Sequence, residues 1–226
     1  EIQYHPGPPT VEALMTYPDL DENDLEYVEI YNPTAEQVDL GGWELSGGIE
    51  ITFDAGTLIG AGEALVVVSF NPDRGDNVDR VAAFRQHYGL AENVRLVGGY
   101  RGSLSNGGEL LGLVRQGTPD EPAAAIVPQV LEDEALYDDL APWPTEADGR
   151  GKSLVRSGTD SPGHLAESWT AADPSPGLHT LIFAGDMDMD GDLDIVSASI
   201  DDDTIAWYEN DGASDPSWTA ADIATS

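Results

Sequence analysis

Apolar residues in this chain come in runs no longer than a β-strand, and that limits what it can fold into. The most apolar run, Ala64 to Val68, is strand-sized, far short of the roughly 18 residues that suggest a membrane helix. Between the runs stand 25 Gly and 15 Pro, which disfavour long helices and suit short strands joined by turns. With 226 residues there is room for one large all-β domain or two modest ones. Zero cysteine excludes a disulfide scaffold, a zinc site with Cys ligands and thiol catalysis.

Charge adds a second limit. There are 43 Asp and Glu against 9 Lys and Arg, a formal net charge of −34, and Lys152 is the sole lysine. Such a surface repels phosphates, so nucleic-acid backbones and anionic membrane faces are poor partners. The 40% apolar content, with 5 Trp, 8 Tyr and 4 Phe, is too high for a disordered acidic tail. The acids are also unevenly placed. Residues 179–226 hold 12 of them and no base, which leaves residues 1–178 at −22.

Along the first 178 residues, alternation predicts strands at Tyr27 to Tyr31, Trp43 to Leu45, Ile49 to Phe53, Ala64 to Phe70, Val94 to Val97, Glu109 to Arg115 and Ala125 to Leu131. The Ala64 to Phe70 strand is apolar enough to be central in a sheet. One helix is expected at Asn77 to Tyr88, with Val81, Phe84 and Tyr88 on one face and Gly89 as its stop. Ser105-Asn106-Gly107-Gly108 reads as a hairpin turn.

Three stretches in order, Glu29-Ile30-Tyr31-Asn32-Pro33, Val38 to Leu45 and Phe53 to Gly62, resemble a bacterial lamin tail domain. Leu104 to Glu109, Pro142-Trp143-Pro144, Ala147-Asp148-Gly149 with Ser153-Leu154, and Trp169 to Gly177 follow in the same family order. The resemblance covers roughly residues 1–178 and implies an immunoglobulin-like β-sandwich, with long insertions at about residues 8–24 and 71–93. Trp43 is expected to fill the space between the two sheets.

Residues 179–226 carry the sharpest chemical signal, Asp186-Met187-Asp188-Met189-Asp190-Gly191-Asp192-Leu193-Asp194. Carboxylates at loop positions 1, 3, 5 and 9, with glycine at 6, suit a hard cation that takes several oxygens, and Ca²⁺ fits better than Mg²⁺. An EF-hand is excluded, because its twelfth position is Ser197 and the flanking residues alternate as strands. Strand, acidic loop and strand, then Asp201-Asp202-Asp203 and Ile205 to Asn210, resemble an FG-GAP (VCBS-type) propeller repeat. That resemblance implies Ca²⁺ held by Asp186, Asp188, Asp190 and Asp194, with the backbone carbonyl of Asp192. Ser168 to Asp173 also recurs as Ser217 to Asp222, 49 residues on, a period suited to propeller blades. The expected division is a lamin tail domain at 1–178 and a C-terminal β-hairpin or propeller-blade fragment at 179–226, with the boundary between 167 and 180.

Other motifs fail on their chemistry. Gly151-Lys152-Ser153 lacks the upstream glycine of a P-loop, since that position is Glu146. His5, His87, His164 and His179 lack zinc-ligand spacing. Acid pairs such as Asp138-Asp139 and Glu132-Asp133-Glu134 occur by chance among 43 acids, and Tyr137 with Trp143 reads better as buried than as a sugar platform. The expected function is a non-catalytic, calcium-binding adhesion or interaction module of a larger secreted bacterial repeat protein. Its partner would be a protein or polysaccharide, with neither nucleic acid nor membrane insertion, and further propeller repeats would follow in the parent chain. The alternative is an accessory domain of a secreted hydrolase whose catalytic domain lies elsewhere.

Overall fold

The computed structural model describes residues 1–117, 127–177, 181–185, 194–199, 204–210 and 218–224. In chain order the first unit, Glu1–Gly177, contains β1 (Ile2–Gln3), α1 (Val11–Thr16), α2 (Glu22–Leu25), β2 (Tyr27–Tyr31), β3 (Val38–Asp39), β4 (Glu44–Ser46), β5 (Ile49–Thr52), β6 (Leu58–Ile59) and β7 (Ala64–Val68). It continues with α3 (Val78–Tyr88), β8 (Leu96–Gly98), β9 (Arg101–Gly102), β10 (Glu109–Gln116), β11 (Gln129–Tyr137), β12 (Ser153–Arg156) and β13 (Trp169–Ala172). The second unit, Leu178–Ser226, contains β14 (Leu181–Gly185), β15 (Asp194–Ser199), β16 (Thr204–Asn210) and β17 (Trp218–Ala224).

Two sheets build the first unit. One has six strands in the order β13-β12-β1-β2-β7-β8, the other five in the order β11-β10-β4-β5-β9, and β3 with β6 forms a separate two-stranded ribbon. Ile2, Val28, Leu65, Val67 and Leu154 of the first sheet share one core with Leu45, Ile49, Leu111 and Tyr137 of the second. This is a mostly β immunoglobulin-like sandwich, as expected. Among the described residues there is neither a closed barrel nor a propeller.

A helical layer covers the outer face of the six-stranded sheet. The expected helix is present as α3, and the insertions also hold the two shorter helices α1 and α2. Short-range capping explains the two extra helices. Thr10 Oγ1 accepts the Ala13 N–H at 3.3 Å, and Asp21 and Asp24 exchange backbone and side-chain bonds in a capping box. α3 ends where Gly89 turns left-handed at φ 67°, its N–H bonded to the Arg85 carbonyl. Ala13, Leu25, Ala83 and Phe84 of the helices pack against Tyr27, Val66 and Val68 as a second core. β7 is therefore buried on both faces, Leu65 and Val67 inward and Val66 and Val68 under the helices, which is why its sequence is continuously apolar. The insertion carrying α3 joins β7 to β8, and those two strands pair in parallel, as a helical crossover requires.

Other details depart from the sequence reading. Of the strand expected at Ala125 to Leu131, residues 125 and 126 lie outside the described residues, and β11 takes in Gln129 to Leu131 and runs on to Tyr137. Ser105 to Gly108 does make a tight turn, with the Gly108 N–H donating to the Ser105 carbonyl at 3.2 Å. It is not a hairpin, because β9 pairs with β5 whereas β10 pairs with β11 and β4. Trp43 is half-buried at the core margin rather than central, and Tyr4 and Tyr137 fill the middle as a stacked pair with ring centroids 4.7 Å apart.

The second unit is a four-stranded antiparallel meander in the order β14-β15-β16-β17. Gly185 pairs with Asp194, Ile195 with Tyr208 and Asn210 with Trp218. No helix among the described residues is long and apolar enough to cross a membrane.

Candidate functional site

The acidic loop joins β14 to β15, two strands whose pairing ends at Gly185 opposite Asp194. Asp194 opens β15, and its backbone is part of the ladder. Asp186, Asp188, Asp190 and Asp192 lie outside the described residues. Among the described residues, no group of three or more His, Asp or Glu side chains is arranged to hold a metal ion.

Within the first unit the polar groups that matter most are carboxylates held by the fold, Glu1 partly buried and Glu26 and Asp24 buried, which composition alone did not reveal. The Glu1 carboxylate accepts from Tyr27 Oη at 2.5 Å, Ser153 Oγ at 2.6 Å, and the Ser175 N–H and Oγ, both at 3.0 Å. One side chain thus ties β2, β12 and the closing segment together. Glu26, only 2% exposed, accepts from the Leu104 N–H at 2.9 Å and Tyr100 Oη at 3.3 Å. Burial outweighs those two donors and pushes its carboxyl up to about 7. Asp24 is also buried and raised, though Arg80 Nε lies 3.2 Å from it.

The remaining sequence candidates have structural roles. Glu132 pairs with Arg115, Asp133 with Arg156, and Glu134 with His164, so the acidic run on β11 faces bases. Tyr137 is 1% exposed and donates to the Ser105 carbonyl and to Glu109, so it offers no stacking surface. Trp143 packs beside Trp169, with ring centroids 6.4 Å apart. His5 bridges Asp148, at 2.6 Å from Nδ1, and Glu22, at 3.2 Å from Nε2.

Among the clefts on the first unit, two gather polar side chains from several segments. The larger, about 640 Å³, lies over β5 and is lined by Glu44, Glu50, Asp54, Arg95 and Arg101 among others. The smaller, about 480 Å³, lies between the end of α3 and the turn at Gly149–Gly151, with Gln3 beneath it. The sequence offered no signal for either, since their linings come from segments up to about 170 residues apart.

The family model described as Lamin Tail Domain matches residues 3–117, about half of the chain. No curated protein and no solved structure matches the chain. The match takes in β1 through β10 and both helix-bearing insertions, and β12 and β13 then complete the same six-stranded sheet beside β1. Domains of this kind are non-catalytic immunoglobulin-like sandwiches, the architecture found here. On the strength of that match and the sandwich that embodies it, this chain belongs to the lamin tail domain family.

Proposed function

We propose that the chain is a non-catalytic, calcium-binding interaction module of a larger secreted bacterial repeat protein, with the calcium site in the loop between β14 and β15. The observation that carries this reading is the Asp186–Asp194 spacing on a connection whose two ends are antiparallel partners. Asp186, Asp188, Asp190 and Asp194 would supply carboxylate oxygens, and Asp192 its backbone carbonyl, a hard-oxygen set suited to Ca²⁺. Carboxylates brought to about 4 Å repel by roughly 4 kcal/mol per pair at an effective dielectric near 20, and a bound dication offsets that repulsion. Two further features support an FG-GAP-type repeat. The β14–β17 meander has the strand number and order of one propeller blade. Its last strand also carries residues 218–222 of the second copy of the Ser-Trp-Thr-Ala-Ala-Asp sextet. A lone blade leaves faces uncovered, which favours further repeats in the parent protein.

Calorimetric titration of the chelator-treated chain with Ca²⁺ tests the site. Binding with a dissociation constant on the order of 10⁻⁴ M is expected, as for extracellular modules, and it should vanish in an Asp188→Ala, Asp190→Ala double variant. Absence of heat in the native chain, or an unchanged titration in the double variant, would reduce the loop to acidic surface.

A further inference from the structure

Most of the nine bases already have partners within the chain. Arg74, Arg80, Arg95, Arg115, Lys152 and Arg156 pair with carboxylates, and Arg85 donates to the Ala91 and Val94 carbonyls. Among the described residues, that leaves Arg101 in the larger cleft and Arg150 in the smaller one without a partner. The larger cleft also presents Glu44, Glu50 and Asp54 beside its base, which disfavours an anion there. The smaller one is different. Gln3 forms part of its lining, is 0% exposed, and has neither its Oε1 nor its Nε2 bonded to any protein group. A buried amide without partners is costly and calls for a group that satisfies it. His87 lines the same cleft. Its Nδ1 accepts the Thr10 N–H at 3.2 Å, so the ring proton resides on Nε2, and burial keeps the imidazole neutral by lowering its pKa. Arg150 stands between Gly149 and Gly151, both left-handed, at φ 65° and 76°.

We propose that this cleft binds a small hydroxylated monocarboxylate of about the size of a sugar acid, with the carboxylate on Arg150 and a hydroxyl on the Gln3 amide. Each part of that description follows from a different observation. One unpaired guanidinium matches one carboxylate, and a chain at −34 penalises every further negative charge on a ligand. Gln3 presents both a donor and an acceptor, which a hydroxyl satisfies and a bare anion does not. A volume of about 480 Å³ exceeds what acetate or formate would fill. The His87 Nε2–H adds a neutral donor. The site belongs to the sandwich unit and does not depend on calcium.

The test is an NMR titration of the ¹⁵N-labelled full chain with D-glucuronate, using D-glucose as the uncharged control. Glucuronate at millimolar affinity should shift the Gln3 side-chain amide and the backbone amides of Gly149–Gly151, whereas glucose should not. Arg150→Gln, at an exposed residue without partners, should keep the native spectrum and weaken binding about tenfold or more. Gln3→Met should also weaken binding while leaving the melting temperature unchanged or higher, because an unsatisfied buried amide is removed. The proposal is overturned by no shifts at about 20 mM glucuronate. It is equally overturned by identical shifts with glucose, or by an Arg150→Gln variant that binds as well as the native chain.

Discussion

Glu26 is an acid whose chemistry departs well away from what its type suggests. Its folded-state carboxyl titrates near 7 against an ordinary 4.5, so the folded chain holds a proton there that the unfolded chain releases. A raised carboxyl stabilises fully below the unfolded value and loses that contribution as pH climbs through the folded one. Stability should therefore fall between about pH 4.5 and 7, by on the order of 3 kcal/mol from this group. In Glu26→Gln an amide oxygen still accepts from Leu104 and Tyr100 but cannot ionise. Urea unfolding at about pH 5 and about pH 8 should show the variant gaining on the native protein at the higher pH. An equal difference at both pH values would mean that Glu26 ionises freely in the fold. Nothing in the sequence singles out Glu26 or Glu1 among 43 acids. Their hydrogen-bond partners are Leu104 and Tyr100 in one case and Ser153 and Ser175 in the other, all distant in sequence. Side-chain roles set by such long-range meetings are not legible in local patterns.

Elements were more legible than residues. The alternation of Tyr27–Tyr31 and the apolar run at Ala64–Val68 mark β2 and β7 because burial dictates their pattern directly. α3 was visible through its Val81, Phe84 and Tyr88 face and its Gly89 stop. α1 and α2 were not, since a six-residue and a four-residue helix span fewer than two turns, too few to repeat an apolar pattern, and rest on caps and on docking to α3. The C-terminal half of β11 also has a tertiary neighbour. Gly163 lies against it so closely that a Cβ there would sit 1.8 Å from the Glu134 carbonyl oxygen, and the Leu136 N–H donates to the Gly163 carbonyl at 3.1 Å. That contact covers part of an edge strand that would otherwise offer free ladder groups. The helical layer makes its own prediction. Phe84 is fully buried against Tyr27, Phe70 and Tyr88, so Phe84→Ala should destabilise the first unit by about 3–5 kcal/mol. A loss below about 1 kcal/mol in denaturant unfolding would show the layer to be loosely attached. The repeated sextet behaves alike in both units. Trp169–Ala172 of its first copy form β13, and residues 218–222 of its second lie in β17, each strand outermost in its sheet.

At the scale of the whole molecule, charge dominates. A net −34 spread over 226 residues disfavours the compact state through self-repulsion, and the ion pairs relieve only part of it. Added salt screens both repulsion and pairs, but most of the pairs are exposed and individually weak. The melting temperature should therefore rise between about 0.02 and about 0.5 M NaCl. A fall would mean that the ion pairs outweigh the repulsion. The chain divides into two compact units, Glu1–Gly177 and Leu178–Ser226. The clefts were beyond sequence reasoning because each is assembled from several loops.

The six-stranded sheet also fixes an order of events during synthesis. β1, at residues 2 and 3, sits between β2 and β12, and the Glu1 carboxylate reaches Ser175. A ribosome adding about 5–20 residues per second needs on the order of 10 s to go from β1 to its partner strand. Through that interval β1 has only β2 beside it, and the sandwich core lacks Leu154 and Trp169. The helical layer, complete by residue 94, has all its parts much earlier. The nascent chain can therefore assemble its outer helical half while the sandwich waits for its closing strands, and the acidic surface keeps that half-built intermediate apart from its neighbours.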